Sequence, residues 1–252
     1  MYHFFVESAQ VSGDLKEVLI TGSDYNHIRN VLRMKPGEQF SVSILGDDSG
    51  KEIFYEIDSF TGDTVVGKLC FVEESGHELP SKIYLFQALP KVDKMELIIQ
   101  KAVELGAYRI IPMSTKRCIV KLDEKKAQTK VKRWQSIAEA AAKQSKRGII
   151  PEVEMPITMK QAILYCTDNN IDVRLIPYEN AKDISFTREI IEGIKPGQSV
   201  AVFIGPEGGF SEDEIKLCLD SGIQPITLGK RILRTETAGF TAISWLMYHL
   251  ES

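Results

Sequence analysis

The sequence predicts an α/β protein with an all-β N-terminal domain. Up to about Val72 the apolar segments are short and β-like, whereas after Pro80 strands alternate with long amphipathic helices. A polar stretch, residues 73–80, separates the two patterns. We therefore expect two domains, residues 1–74 and 75–252, which is a reasonable division for a chain of 252 residues.

The N-terminal domain is predicted to be a small barrel. Turn signals such as residues 35–37 and 46–48 separate its β-like segments, which are residues 4–6, 17–21, 39–45, 52–60 and 64–72. One helix interrupts them, with Ser23 as its predicted N-cap. Arg29 and Arg33 lie on its predicted exposed face, and helical spacing predicts a buried face of Tyr25, Ile28, Val31 and Leu32.

The second domain is predicted to contain a mainly parallel sheet covered on both faces by helices. Its predicted strands are residues 83–89, 109–113, 173–177, 200–204 and 225–228. A helix with the capping-box pair Asp93 and Glu96 ends at Gly106 and is expected to bury Met95, Ile98, Ile99, Ala102 and Val103.

Two further helices are predicted from their apolar spacing. A basic helix over about residues 129–146 is expected to bury Trp134, Ile137, Ala138, Ala141 and Ala142. The last helix begins at about Glu236 and is expected to pack Ala242, Ile243, Leu246, Met247 and Leu250.

The composition is that of a globular protein, with 43% hydrophobic and 26% charged residues. The start lacks a basic segment leading into an apolar one, and no apolar run reaches membrane length, so we expect a cytoplasmic protein without a membrane partner. The cysteines lie far apart with no C-x-x-C pair, which argues against a zinc knuckle, a redox motif or a dense disulfide framework. Four buried free thiols are expected, at Cys70, Cys118, Cys166 and Cys218.

The net charge of −4 hides a local asymmetry. Between Lys116 and Arg147 there are eleven basic residues against three acidic ones, a balance of +8 that suits a polyanionic partner. Residues 1–74 contain six basic and thirteen acidic residues, a balance of −7. If this domain contacts a polyanion, only the helix face with Arg29 and Arg33 carries suitable charge.

Two glycine-containing loops each lead from a strand into a helix. The first, residues 205–210 (Gly-Pro-Glu-Gly-Gly-Phe), precedes a helix that begins with the capping-box pair Ser211 and Glu214. Its glycines permit close backbone approach, so it can hold a ligand at the carboxyl end of the sheet. A tight strand-to-helix turn explains the glycines equally well. The spacing fits neither the dinucleotide motif nor the phosphate-loop motif.

The second loop, residues 228–238 (Leu-Gly-Lys-Arg-Ile-Leu-Arg-Thr-Glu-Thr-Ala), carries three cations between a glycine and a helix start. Positive charge and free helix amides there suit a polar or anionic group. A solvated basic face is the alternative for Lys230, Arg231 and Arg234.

Together the two loops resemble those of the RsmE family, which methylates N3 of a uridine in small-subunit ribosomal RNA. The similarity extends over nearly the whole chain, through residues 27–37, 91–106, 112–117 and 133–151. It implies a PUA-like barrel that helps to bind RNA, followed by a SPOUT domain with a C-terminal trefoil knot, a rare exception to the rule against knots. It also implies S-adenosylmethionine as cofactor, 16S ribosomal RNA or the small subunit as substrate, and a homodimer whose partner subunit helps form the active site.

The resemblance also assigns site residues. Contacts to the cofactor, largely through backbone, are implied for Pro177, Gly205, Glu207, Gly208, Gly209, Leu228, Gly229, Ile232, Leu233, Thr237 and Ala238. As uracil N3 loses its proton, charge spreads onto the flanking carbonyl oxygens, and Arg234 is the candidate cation to stabilise it. Glu207 and Glu236 are candidate bases, although either could instead cap a helix or hold the loops together.

For RNA binding we select Arg29 and Arg33 in the N-terminal domain and Lys116, Arg117, Gln144 and Arg147 in the basic segment. The target base would have to leave its stack to reach a buried methyl donor. For the exposed basic residues from Lys125 to Arg133, a solvated helix face is the preferred interpretation.

Three alternatives stay open. The same fold could methylate another RNA position, such as a ribose 2'-hydroxyl or a transfer RNA base, because the cofactor loops determine the donor better than the acceptor. A non-catalytic RNA-binding assembly factor would use the glycine loop only structurally and would not bind S-adenosylmethionine. An α/β enzyme for a phosphorylated metabolite would bind phosphate or nucleotide and have no affinity for RNA.

Overall fold

The computed structural model describes residues 1–47, 49–74, 76–91, 94–181 and 183–252. They form two compact units. The N-terminal unit contains Met1–Glu78 and the later segment Ala142–Ile150, and the second unit contains Leu79–Ala141 and Pro151–Ser252. The N-terminal unit thus includes a short segment from the middle of the chain.

The N-terminal unit is built on a five-stranded sheet in the order β1-β3-β4-β5-β2. Its strands are β1 (Tyr2–Val6), β2 (Glu17–Ile20), β3 (Gln39–Ile44), β4 (Lys51–Thr61) and β5 (Thr64–Glu74). The β1–β3 pair is parallel and the other pairs are antiparallel. One face forms the core, where Phe40, Tyr55 and Ile57 are fully buried. The five predicted strands are confirmed, each within two residues of its predicted ends.

The helix of this unit differs from its prediction. Helix α1 (Gly22–Asn26) follows Thr21, so Ser23 is not its N-cap, and it continues into a π-helical turn at His27–Val31. Because a π turn is wider than an α turn, side chains after it no longer follow α-helical spacing. Ile28 is buried as predicted, but Val31 is 60% exposed, so its predicted burial is wrong.

The face of the sheet opposite this core carries a buried polar group. His3 Nδ1 lies 3.0 Å from Ser41 Oγ and 3.3 Å from Glu52 Oε1. All three residues are buried. Burial lowers the pKa of His3, and the carboxylate of Glu52 only partly opposes this shift. The folded protein therefore binds a proton at His3 less readily than the unfolded chain does.

This burial predicts a pH dependence of stability. As the pH falls from about 7 to about 5, unfolded chains take up a proton at His3 before folded ones do, so the free energy of unfolding decreases. We expect His3→Asn to reduce this slope, because it removes the group whose proton uptake differs between the folded and unfolded chains. Urea unfolding at a series of pH values measures the slope, and equal slopes for wild type and His3→Asn would contradict the prediction.

The second unit contains a parallel sheet in the order β12-β10-β11-β6-β7-β8, with β9 also paired to β7. Its strands are β6 (Ile83–Ala88), β7 (Ala107–Ser114), β8 (Glu152–Val153), β9 (Ile157–Thr158), β10 (Val173–Pro177), β11 (Val200–Ile204) and β12 (Gln224–Ile226). Every residue of β6 and β11 is buried, as expected for strands covered on both faces. The predicted parallel sheet is confirmed; β8 and β9, of two residues each, were not predicted.

Helices cover this sheet: α2 (Lys94–Glu104), α3 (Glu124–Gln144), α4 (Met159–Asp168), α5 (Ile184–Glu192), α6 (Glu212–Asp220) and α7 (Thr235–Leu250). The five predicted core residues of α2 are all buried, and the chain leaves this helix at Gly106, with a φ of +92°. The predicted cap Asp93 lies outside the described residues. Helix α3 begins five residues before its predicted start, and α4 and α5 were not predicted.

Four of the five predicted core residues of α3 are buried, as are four of the five in α7. Ile137 and Met247 are only partly buried. From β12 at one edge of the sheet the chain returns to its centre, where α7 packs on β6, β11 and α2. The α/β class with an all-β N-terminal part is confirmed. The implied trefoil knot concerns this returning segment and stays a prediction.

Three of the four cysteines are buried free thiols, as expected. Burial raises the pKa of Cys166 and Cys218 to about 12, so both stay as thiols near neutral pH. Cys70 is exposed, so its predicted burial is wrong: Leu69 packs on the core, and the next residue of a strand points the other way.

Among the described residues, no helix is long and apolar enough to cross a membrane.

Candidate active site

The carboxyl ends of parallel strands lie at one edge of a sheet, which is where open α/β sheets bind ligands. In the second unit β6, β7, β11 and β12 lead there into residues 89–91, 115–118, 205–210 and 227–234. Both predicted ligand loops therefore start from the same edge. We call residues 205–210 the glycine loop and residues 227–234 the basic loop.

The glycine loop is a tight turn. The amide of Gly209 donates to the carbonyl of Pro206 at 2.9 Å, and Gly209 has a φ of +67°, in the left-handed region that favours glycine. A Cβ on Gly205 would lie 3.3 Å from Phe210 Cδ2 and 3.4 Å from the backbone of Gly209. The loop thus closes over Gly205 so tightly that a side chain there would displace its neighbours.

Helix α6 follows the glycine loop and begins with the predicted capping box, which is confirmed. The Ser211 amide donates to Glu214 Oε2 at 2.8 Å, and Ser211 Oγ accepts from the Glu214 amide at 3.4 Å. The other carboxylate oxygen of Glu214 accepts from the amide of Lys116 at 2.8 Å. This glutamate therefore fixes the chain after β7 to the chain after β11.

Lys116 and Arg117, both predicted to bind RNA, lie against these segments. Arg117 Nη1 donates to the carbonyl of Gly208 at 2.9 Å, and Lys116 Nζ lies 2.5 Å from Asp213 Oδ2. Both basic side chains are exposed. They can thus present positive charge beside the glycine loop while Arg117 also supports it.

The basic loop is supported from within. The Thr227 amide donates to Thr187 Oγ1 at 2.9 Å, and Thr227 Oγ1 accepts from the Gly229 amide at 3.3 Å. Gly229 has a φ of +108°, which a side chain would make strained. Ile232 is 91% exposed, whereas Leu228 and Leu233 are partly buried. Pro177 ends β10 and pairs with Ile226, just before this loop.

A buried relay joins the glycine loop to the start of α7, directly after the basic loop. Thr235, the first residue of α7, donates from Oγ1 to the carbonyl of Gly205 at 2.6 Å, and it accepts from Gln87 Nε2 at 2.9 Å. Gln87 is fully buried in β6, and its Oε1 has no hydrogen-bond partner among the described residues. Neither residue was predicted as part of the site, although a glutamine inside the apolar strand Ile83–Ala88 was a usable signal.

The candidate bases Glu207 and Glu236 are held together by a third residue, Lys94. Its Nζ lies 3.5 Å from Glu207 Oε1 and 3.2 Å from Glu236 Oε2, and the amide of Lys91 donates to Glu207 Oε1 at 3.0 Å. Burial acts to raise the pKa of Glu207, but the backbone hydrogen bonds and the charge of Lys94 outweigh it and lower that pKa. A carboxylate with a lowered pKa is a weak base, so the contacts favour a structural role for Glu207.

The cations of the basic loop are exposed. Lys230, Arg231 and Arg234 make no ion pair with any residue that the structure describes. Arg234 directly precedes α7 and its side chain does not cap the helix. A free guanidinium thus lies beside a helix N-terminus with free amides, an arrangement that attracts negative charge. Thr237 and Ala238 lie in the first turn of this helix.

The other residues predicted to bind RNA belong to the N-terminal unit. Arg29 stacks 4.3 Å from the ring centroid of Phe60, Arg33 is exposed with a φ of +56°, and Gln144 is exposed. Arg147 differs from its prediction: it is 3% exposed, and its Nε donates to Glu78 Oε1 at 2.8 Å. Because burial and this ion pair leave its guanidinium almost no accessible surface, the structure gives Arg147 a structural role instead of an RNA contact.

The comparisons with known proteins concern the whole chain. Residues 77–247 match an RNA methyltransferase domain and residues 20–70 match an RNA methyltransferase PUA domain. The chain is 37% identical over 255 residues to the ribosomal RNA small subunit methyltransferase E of Bacillus subtilis, with 100% of this chain and 98% of that protein covered.

Within the described residues, no group of three or more His, Cys, Asp or Glu is placed to hold a metal ion.

Two solved structures are similar over nearly their full length. The ribosomal RNA small subunit methyltransferase E of Neisseria gonorrhoeae, bound to S-adenosyl methionine, is 29% identical with a TM-score of 0.80, and 98% of this chain and 97% of that chain are covered. A protein of Legionella pneumophila in complex with the cofactor SAM is 33% identical with a TM-score of 0.81 over the same shares of the two chains.

Proposed function

This chain belongs to the RsmE family of ribosomal RNA small subunit methyltransferases, and from this we propose that it transfers a methyl group from S-adenosylmethionine to N3 of a uridine in 16S ribosomal RNA. The observation that carries the proposal is the pair of loops at the carboxyl edge of the sheet, joined through Thr235 and Gly205. One loop offers glycine backbone and the other offers free cations, so a cofactor and an acceptor base can meet between them.

The residues present suit S-adenosylmethionine. A Cβ at Gly205 would make a tight contact with Phe210, and Gly209 and Gly229 adopt left-handed conformations, so these loops offer backbone groups and not side chains to a ligand. We assign the cofactor to Pro177, Gly205, Gly208, Gly209, Leu228, Gly229, Ile232, Leu233, Thr237 and Ala238, with Glu207 supporting the glycine loop. When bound, the cofactor supplies an electrophilic methyl group on a sulfonium sulfur.

We assign to Arg234 the role of contacting the acceptor base. Methylation of N3 forms a nitrogen–carbon bond, breaks the sulfur–carbon bond that held the methyl group, and leaves the sulfur as a neutral thioether. The N3 proton is released, and negative charge spreads onto the uracil carbonyl oxygens as that proton leaves. A fixed guanidinium beside those oxygens stabilises the transition state more than the ground state. Glu236, in its ion pair with Lys94, and Glu207 are the candidate carboxylates near this site to accept the proton, and its lowered pKa makes Glu207 a weak acceptor.

RNA binding is assigned to Lys116 and Arg117 beside the glycine loop and to Arg29, Arg33 and Gln144 in the N-terminal unit. Phosphate contacts supply most of the affinity of such surfaces and make it dependent on salt. A base inside a helix is shielded from a cofactor held at the edge of the sheet, so the target uridine has to leave its stack. The acidic balance of residues 1–74 confines the contact of this unit to its few cations.

Reversing the charge of Arg29 and Arg33 tests this assignment. We expect the double variant Arg29→Glu and Arg33→Glu to bind small-subunit RNA about tenfold more weakly at 0.1 M salt, because phosphate contacts are lost. The matched control reverses Lys16 and Lys68, two exposed lysines of the same unit whose ion pairs contribute little. Filter binding measures both affinities, and equal affinities for the two double variants would contradict the assignment.

Calorimetric titration with S-adenosylmethionine tests the proposed function first. We expect saturable binding by the wild-type protein alone or with small subunits present. A failure to bind under both conditions would remove the methyltransferase proposal and favour an RNA-binding assembly factor.

We further propose that the protein acts in the cytoplasm as a homodimer whose partner subunit completes the active site. Ile232 and Tyr248 support this, because they are 91% and 76% exposed and an interface would cover them. Light scattering measures the mass of the particle, and a monomer at micromolar concentration would contradict the dimer.

A further inference from the structure

Lys94 lies between two carboxylates from different segments. Its ammonium is 3.2 Å from Glu236 Oε2 and 3.5 Å from Glu207 Oε1. The side chains of Lys94, Glu207 and Glu236 are 27%, 26% and 16% exposed. We call these three residues the Glu–Lys–Glu bridge. Because each is largely withdrawn from water, its interactions are screened less than those of a surface ion pair.

The bridge connects three parts of the site. Lys94 is the first residue of α2, which follows β6; Glu207 is in the glycine loop after β11; and Glu236 is the second residue of α7, directly after the basic loop. The Gln87–Thr235–Gly205 relay also joins the glycine loop to the start of α7 through hydrogen bonds, and it attaches both of them to β6. The glycine loop and the start of α7 are thus attached to each other twice, once through neutral groups and once through charges.

The charges of the bridge do not balance. One ammonium serves two carboxylates, so removing it would leave two negative groups sharing one partly buried site. Like charges in such a site repel, and relief comes either from protonation of one carboxylate or from separation of the segments that carry them. Lys94 therefore removes the repulsion that would otherwise act between the glycine loop and the start of α7.

Resting on the function proposed above, we propose that Lys94 is a positioning residue that holds the glycine loop and the start of α7 in the arrangement in which both contact S-adenosylmethionine. Fixing both loops before the ligand arrives removes an ordering cost from binding. Lys94 does not itself contact the cofactor in this account; it acts through Glu207 and Glu236.

The test is a set of variants titrated with S-adenosylmethionine by calorimetry. We expect Lys94→Met to weaken binding about tenfold, which corresponds to about 1.4 kcal/mol. Lys94→Met combined with Glu207→Gln should recover most of this loss, because one of the two repelling carboxylates is gone while an oxygen remains for the amide of Lys91. Lys94→Arg, which keeps the charge, should bind within about threefold of wild type, a difference below 1 kcal/mol.

The matched control is Lys101→Met. Lys101 lies in the same helix, and its Nζ is 2.7 Å from Glu104 Oε2, but that pair joins neither loop. Thermal unfolding checks that the variants are folded, and Lys94→Gln replaces Lys94→Met if the latter is not. Rescue by Glu207→Gln distinguishes positioning from a general loss of structure, because deleting a second ion-pair partner would not repair a damaged fold.

The outcomes separate this inference from the proposed function. Wild-type affinity in Lys94→Met, or a double variant no better than the single one, would overturn the role of Lys94 while the methyltransferase proposal stands. If the wild-type protein binds no S-adenosylmethionine, either alone or with small subunits present, both the proposed function and the role of Lys94 are contradicted.

Discussion

Replacement of Arg234 by alanine is expected to lower kcat by about 10²–10³ while the affinity for S-adenosylmethionine stays within a few-fold of wild type. The size is that of losing one fixed group that stabilises charge formed only in the transition state. The guanidinium is exposed and makes no ion pair with the described residues, so its removal should not destabilise the fold. Single-turnover methylation of small subunits measures the effect apart from product release.

Arg231 provides the control for Arg234. It is an exposed cation of the same loop, three residues away, and lies outside the start of α7. Arg231→Ala should lower the rate of the chemical step far less than Arg234→Ala does, because Arg231 is not the cation assigned to the acceptor base. Equal rates for the two alanine variants would remove Arg234 from the mechanism.

The second large effect is expected from Gly208→Val, which should weaken S-adenosylmethionine binding by about 100-fold, or about 2.7 kcal/mol. A Cβ at this position would lie 3.4 Å from Arg117 Cβ, an acceptable contact, but the two methyl groups of valine need the space that the Arg117 side chain occupies. The loop would lose the hydrogen bond from Arg117 to the Gly208 carbonyl and change the shape of its backbone surface. Calorimetry measures the loss.

Graded variants separate loop shape from general instability. Gly208→Ala adds only the acceptable Cβ and should weaken binding by no more than a few-fold. Gly13→Val places the same side chain at an exposed glycine with no atoms near its Cβ and should bind like wild type. If Gly208→Val binds as tightly as Gly13→Val, the glycine loop does not hold the cofactor.

The fold was predictable where local pattern and packing agree. Strands β10 and β11 and the buried face of α2 follow directly from apolar periodicity. Periodicity failed at the π turn at His27–Val31, because the spacing of apolar residues does not indicate an extra residue in a helical turn. Helix α4 was missed although Thr158 and Gln161 form a capping box, since a capping pair is weak evidence without a long periodic stretch after it.

The sequence predicted the positions of the two loops of the site, but it did not predict which residues connect them. Glycine spacing located both loops, yet the residues that join them, Gln87, Lys94 and Thr235, lie up to 148 positions apart in the sequence. Arg147 was predicted to be part of the site but is not. Its charge suggested an exposed RNA contact, whereas in the structure it is buried and paired with Glu78. Tertiary packing determines which side chains meet across the sheet. The periodicity of a single sequence does not predict these contacts.

Identification of the methylated atom tests the central claim most directly. The purified protein is incubated with isotopically labelled S-adenosylmethionine and small subunits that lack the modification, and the RNA is digested to nucleosides for mass spectrometry. The account predicts label on the base of one uridine, at N3, with much less label in the Gly208→Val reaction at the same cofactor concentration. Label on a ribose 2'-hydroxyl, label only on transfer RNA, or no transfer at all would contradict it.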